Sequence, residues 1–589
     1  MSCFSKVFEK SDEFNSLAGS ININGAAVGA TGVSDAVKAH MIHSLIQEKG
    51  EKAVIIMPDE ASAVRMSENL GAVQAGVLFY PAREFTFQHV AGVSRDFEHI
   101  RLGVLSKIIN EEYTAIVCSV NAATQLTMPP QELKKRTIVI KSGAQIDFDS
   151  LVSRLVFAGY SRYEQVDGTS QFAVRGGIID IFPPGASEPV RIELWGDMVD
   201  SISSFDISTQ RRTGNLSEIE LIPATEVLFE SNEKFIKKLR ALAESLKGKA
   251  IKAREGIYAD IDSLESGVSL PCCDKYMPLA YESSGIFDYL SGLLFVCESS
   301  KVKERSQNSE RLMLEQIKWY LEDGTLCKGL DKYQLGFEEL RQIYSSHGAV
   351  YLDSLPRGSF DTPVAHLSSF AVQSFNAWNG KTEDLKEDIA PLLKNGYTVC
   401  VMAGTARSAK ALAYDLNDDG INAVFSNGYP LEFQKGAVTV TTGTITAGFV
   451  LPAAKFALIT HMKAQMQKAK KHKANAKNAI HSLDELSVGD YIVHNVHGIG
   501  IFEGIHALEL NKVKKDYIKI SYAKGDVLYV PVTQLDLVSK YIGPGESNNV
   551  KINRLGGNEW KKAKAKVRAS VKDMAKELIA LYAKRMSTK

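Results

Sequence analysis

The feature that most constrains this chain is a succession of short, predominantly apolar runs. Each is closed by a turn or joined to a helical stretch. Ala53-Val-Ile-Ile-Met57 runs into Pro58-Asp59 and a helical pattern from Glu60 to Leu70. Val77-Leu-Phe-Tyr80 ends in Pro81, and Ala115-Ile-Val-Cys-Ser119 follows a helical pattern over 95 to 110. A strand apolar at every position must be covered on both faces. Such strands alternating with helices therefore predict a doubly wound parallel sheet. At 589 residues the chain is long enough for about four domains.

The pattern changes after residue 126. Phe172 to Arg175, Gly177 to Phe182, Val190 to Trp195 and Met198 to Phe205 are strand-like, and Gly196-Asp197 joins the last two as a tight hairpin. Helical patterns return over 214 to 345, with a strand at Gly292 to Cys297. One α/β domain interrupted by an α+β insert accounts for this order. A second α/β set covers 346 to 460, with strands at Tyr397 to Ala403, Val438 to Thr441 and Lys455 to Thr460 and a helix from Ser408 to Asp418.

His461 to Lys477 holds six lysines and reads as a basic linker. Tyr517 to Tyr522 and Val527 to Val532 alternate with period two around Lys524-Gly525-Asp526, a hairpin within a small β domain of the SH3-like barrel type. Ile518, Ile520 and Tyr522 would line one face of it, opposite Leu528, Val530 and Val532. Residues 558 to 586 form an expected long helix. Val567, Val571, Met574, Leu578, Leu581 and Tyr582 make its apolar stripe, and 559 to 585 carries nine Lys or Arg against three acids.

Composition adds mainly exclusions. Net charge is zero, so any nucleic-acid contact must come from local patches. The seven cysteines show no CxxC pair, which fits reduced thiols and gives no zinc site. There is no signal-peptide pattern and no apolar run of membrane-spanning length, so a cytoplasmic protein without a membrane partner is expected.

Four segments carry possible function. Gly25-Ala-Ala-Val-Gly29-Ala-Thr-Gly32-Val-Ser34 has the shape of a phosphate loop, but Val33 stands where the phosphate-reaching Lys belongs. In Val190 to Trp195 the aliphatic Val190, Ile192 and Leu194 take one face, leaving Arg191, Glu193 and Trp195 on the other. Trp and Arg are enriched at binding hot spots. Trp195 either meets a partner or covers a neighbouring domain of this chain, and both readings stay open here. His494 and His497 lack a third metal ligand and read as structural, with Gly498 and Gly500 serving a turn or bulge. Leu508 follows them on a short strand, where an apolar residue can be an exposed contact. The lysine-rich segment and the basic helix are ordinary solvated surface, or else they touch DNA phosphates.

These segments resemble the bacterial transcription-repair coupling factor (Mfd) family. Phe172 to Asp206 and Tyr80-Pro-Ala-Arg-Glu-Phe-Thr-Phe, with Arg95 to Ile100, are similar both to that family and to the repair helicase UvrB. Val488 to Tyr541 resembles the polymerase-interacting domain shared with CarD-type regulators. The resemblance implies a multidomain α/β chain. Its parts are a degenerate RecA-like, UvrB-like module (1–126 and 214–345), a UvrA-binding insert (127–213), a small α/β domain (346–460), a basic linker (461–482), a CarD-like SH3-type (Tudor-like) barrel (483–550) and a linker helix (551–589).

By the same resemblance, Arg175, Arg191 and Trp195 match the UvrA-contacting positions, with Trp195 replacing a common Phe. Leu508 falls at the contact with the RNA polymerase β subunit. Gly25, Gly29 and Gly32 mark a phosphate loop without its chemistry. The family's two motor domains, which hold ATP and Mg²⁺ and move on double-stranded DNA, follow the long helix, and this chain ends at Lys589 before them. The expectation is an adaptor with no catalytic residue, metal or cofactor of its own. A UvrB-like helicase subunit would need the missing Lys and an Asp-Glu box. A regulator using only the CarD-like domain would leave the UvrB-like region idle.

Overall fold

The computed structural model describes residues 3–88, 95–207, 209–247, 250–266, 270, 273–281, 283–461, 489–494, 497–510, 513–531, 538–540 and 552–554. The expected long helix and the lysine-rich segment after His461 lie outside these residues. The chain divides into two units, one holding 1–89 and 95–470 and the other 90–94 and 471–589.

The first unit is built on a seven-stranded parallel sheet, ordered Val364–Ser369, Ala27–Thr31, Val350–Asp353, Leu293–Cys297, Ala53–Met57, Ala115–Ser119, Val77–Tyr80. Five of these strands are buried at every residue, as expected for a sheet covered on both faces. Val350–Asp353 and Val364–Ser369 flank the first strand. The boundary expected at 345/346 therefore cuts this sheet, and the small α/β domain begins nearer Gln373.

That domain has a six-stranded mixed sheet, ordered Gln373–Phe375, Gly448–Leu451, Phe456–Thr460, Thr398–Met402, Val438–Thr441, Ala423–Ser426. Its Cys400, Met402, Phe449 and Phe456 share one core with helices Cys3–Phe8 and Asp35–Lys49. This explains why Asp35–Lys49 is buried from Ala36 to Ile46 and shows no polar face: it lies between two sheets. Phe4 packs against His40 and Tyr429, ring centroids 4.5 and 4.6 Å away, and burial pushes the pKa of His40 down to about 3.

The insert is a six-stranded sheet, ordered Arg212–Leu216, Met198–Phe205, Val190–Trp195, Ile178–Ile181, Gln171–Arg175, Ser161–Tyr163. Helix Phe148–Phe157 contributes Leu151 and Leu155 to the core on its inner face. Entry and exit run side by side as an antiparallel pair, Ile138–Lys141 with Glu218–Leu221.

Helix Asp96–Ile109 clamps the insert to the module. Glu98 Oε1 accepts from the Glu226 amide (2.7 Å) and Thr225 Oγ1 (2.9 Å). The His99 ring lies 2.8 Å from Ser170 Oγ and 3.1 Å from Thr169 Oγ1. A Cβ on Gly103 would stand 3.0 Å from Gly185 Cα, so the two backbones touch.

Beneath this helix lies a buried ion network. Arg101 donates from Nε to Glu226 (2.7 Å) and from Nη1 to Pro81 O and Gln125 Oε1 (both 3.1 Å). Arg83 bonds Asp274 through both terminal nitrogens and approaches Glu226 at 3.5 Å. Burial raises the Glu98 pKa. Glu226 is also buried, but Arg101 and Arg83 outweigh that and hold it below the usual range.

The second unit shows a five-stranded antiparallel sheet, ordered Val527–Pro531, Val513–Ser521, Gly498–Leu510, Tyr491–His494, Val538–Lys540. Ile518, Ile520, Tyr522 and Val530 are buried together with Ile492 and Phe502, the side expected from the alternation.

Candidate partner-binding face

The face arises from the hairpin Val190–Trp195/Met198–Phe205. Gly196 in its turn has φ of +60°, which glycine adopts without strain. Strand alternation sends Val190 and Ile192 into the insert core and leaves Arg191, Glu193 and Trp195 on the outer face. Trp195 is 82% exposed, and its cross-strand neighbour Met198 is also exposed. Of the two readings of Trp195 open in the sequence, covering another described part of this chain is excluded by that exposure.

The two arginines behave differently. Arg191 donates from Nε to Asp180 Oδ1 (2.7 Å) and from Nη2 to Oδ2 (2.9 Å), with its guanidinium 4.8 Å from the Phe205 ring centroid. It is held on two sides and is largely buried. Arg175, on the far side of the Asp180 strand, is half-exposed, with Nη2 3.6 Å from the same Asp180 Oδ2. Glu193 pairs with Arg212 and accepts from Ser201 Oγ at 3.0 Å, and the Arg212 hydrogen bond holds its carboxyl below the usual range. The face thus offers one fixed cation, one reaching cation and an exposed indole. It suits a partner surface that pairs a carboxylate with an apolar pocket.

Strand alternation placed Arg191 and Trp195 on this face and the family resemblance added Arg175, but neither pointed to Asp180. The signal was present: Asp180, an acid among aliphatics, lies on the strand between those of Arg175 and Arg191 and directly opposite Arg191.

The three glycines of the supposed phosphate loop do not form one loop. Gly25 precedes the strand, and Gly29 sits inside it, where a Cβ would meet Leu367 and Phe360 at 3.0 Å. Only Gly32 lies in the turn. Its φ is +74°, and a Cβ there would stand 2.0 Å from Phe370 O, so the glycine serves close backbone packing. Val33 is buried in the core. At these strand ends, Lys38 is buried against Asp35 (2.6 Å), Glu298 and Ser354 Oγ (3.1 Å).

In the second unit, Leu508 lies on strand Gly498–Leu510 opposite Lys515. The His494 and His497 ring centroids are 4.8 Å apart, and the His497 amide donates to His494 Nδ1 at 3.3 Å. Among the described residues no group of three His, Cys, Asp or Glu is placed to hold a metal.

Two family models match the chain: the UvrB interaction domain over 138–227 and the CarD-like/TRCF RID domain over 486–542. The first spans the insert and its paired entry and exit strands; the second spans the five-stranded sheet. Together they define a multidomain chain with one interaction-type domain in each of its two units. It is similar to the transcription-repair-coupling factor of Bacillus subtilis (strain 168), 32% identical over 99% of this chain and 50% of the relative. The namesake of Staphylococcus epidermidis (strain ATCC 12228 / FDA PCI 1200) is 29% identical over 94% of this chain and 48% of its own length. That of Staphylococcus aureus (strain MRSA252) is 28% identical over the same shares. The chain matches the N-terminal half of transcription-repair-coupling factors and spans about half the length of these relatives.

Proposed function

We propose that this chain is the adaptor half of a transcription-repair coupling factor. It joins stalled RNA polymerase, through the β subunit, to UvrA. The outer face of the insert carries this reading: an exposed indole beside two arginines within the segment that matches the UvrB interaction domain. The five-stranded domain, folded as an SH3-like barrel, takes the polymerase at Leu508. Double-stranded DNA is engaged mainly by motor segments that the full-length relatives carry. The setting is cytoplasmic; no helix among the described residues is long and apolar enough to cross a membrane.

A pull-down with purified core RNA polymerase and purified UvrA tests the two ends separately. Leu508→Arg should lose polymerase and keep UvrA. The triple Arg175/Arg191/Trp195→Ala variant should do the reverse. If either variant keeps the partner it is meant to lose, that site assignment fails.

In this reading the chain uses no ATP or Mg²⁺ of its own. The phosphate-loop Lys cannot simply be restored, because position 33 points into the core. Val33→Lys should give no ATP hydrolysis and a stability loss on the order of 2–4 kcal/mol from burying an unpaired charge. ATP turnover by the folded variant would overturn this.

A further inference from the structure

Among the described residues, Asp180 is the one carboxylate on the insert's outer face that is almost wholly buried, its side chain 2% exposed. It sits on the central strand Ile178–Ile181, opposite Ala173 on one side and Arg191 on the other. Both its oxygens are engaged by Arg191 in a two-point fork, and Oδ2 also faces Arg175. A buried carboxylate is a poor way to add stability, since an apolar pair of similar volume does as well or better. Geometric control is what a fork of this kind supplies.

We infer that Asp180 is the positioning residue of the partner-binding face: it fixes Arg191 as a preformed donor and draws Arg175 to the same spot. Asp180 and Phe205 together hold the Arg191 guanidinium in a single orientation. Its Nη1, 3.5 Å from Gln210 O, remains the least engaged nitrogen and the one available to an incoming acceptor. Two guanidinium groups gathered beside each other would repel. The single negative charge between them offsets this and leaves the trio with one net positive charge. The partner surface this fits presents a carboxylate to the arginine pair and an apolar recess to Trp195. Binding then loses no rotamer freedom at Arg191, because folding has already ordered it.

The inference rests on the UvrA reading above, and the test separates the two. Dissociation constants for purified UvrA are measured with the full chain and with Asp180→Asn, Arg191→Lys, Arg191→Ala and the double variant Asp180→Asn/Arg191→Ala. Asp180→Asn should weaken binding roughly three- to tenfold, the effect of ordering one long side chain on association. Arg191→Lys keeps the charge but cannot form the fork, so it should lose a similar factor. In the Arg191→Ala background, Asp180→Asn should change affinity by less than about twofold.

Wild-type affinity in Asp180→Asn, or in Arg191→Lys should Asp180→Asn not fold, overturns the inference. An equal loss from Asp180→Asn in both backgrounds also overturns it, since the residue would then act through the fold. If Arg191→Ala itself binds UvrA like the wild type, the underlying reading has failed as well.

Discussion

Trp195→Ala is expected to weaken UvrA binding by at least about 2 kcal/mol, roughly thirtyfold, while the melting temperature stays put. The two halves of this result have separate causes. An indole 82% exposed contributes almost no packing to the folded chain, so its removal should move stability by no more than about 0.5 kcal/mol. The same exposure makes it the largest apolar surface beside the two arginines. Burying an aromatic anchor at the centre of a charged rim is the usual source of a binding hot spot. Calorimetric titration against UvrA, with thermal melting alongside, checks both halves. Equal loss of stability and affinity would mean that Trp195 supports the insert rather than contacting a partner.

The second large effect is expected at Arg101. Arg101→Ala should destabilise the chain by about 3–5 kcal/mol, because it leaves Glu226 without its nearest cation in a dry site. Pro81 O and Gln125 Oε1 lose a donor in the same step. The penalty should depend on pH. In the wild type Glu226 is held below its ordinary pKa, so its contribution is present above about 4.3 and fades as pH falls through the folded value. Without Arg101, burial dominates and the folded pKa rises. The variant then gains stability as pH falls toward the unfolded value. The gap between the two proteins should therefore narrow on acidification. Urea unfolding at pH 7 and pH 5 measures it, and a pH-independent gap would sink this account.

The sequence made the strands legible where burial was complete. Ala53–Met57 and the stretch 115–118 are apolar throughout because alternate residues enter two different cores, one on each face of the sheet. The hairpin at Gly196-Asp197 and the alternation in Val190–Trp195 were equally readable, since both signals are local. What escaped was long-range. Val350–Asp353 looks like the start of a new domain, yet it pairs with Ala27–Thr31, and nothing local marks that partner. Helix Asp35–Lys49 lacks an apolar stripe because two sheets cover it. Arg83 stood in a quoted motif and Arg101 just beyond one, but their acceptors Asp274 and Glu226 lie more than a hundred residues away, as does the Glu226 amide that donates to Glu98. The phosphate-loop glycines misled for a related reason: glycine marks close approach, and here Phe370, Leu367 and Phe360 are what approaches.

The side-by-side pairing of Ile138–Lys141 with Glu218–Leu221 bears on the order in which the chain can fold. Strand Leu293–Cys297 must find Ala53–Met57 across more than two hundred intervening residues. Closing so long a flexible loop is slow, and its entropic cost grows with the length spanned. An insert that condenses first brings Ile138 opposite Leu221 and removes its whole contour from that loop. The host sheet then searches as though the insert were a short turn. The domain that meets the partner would also be the shortcut by which its own support assembles.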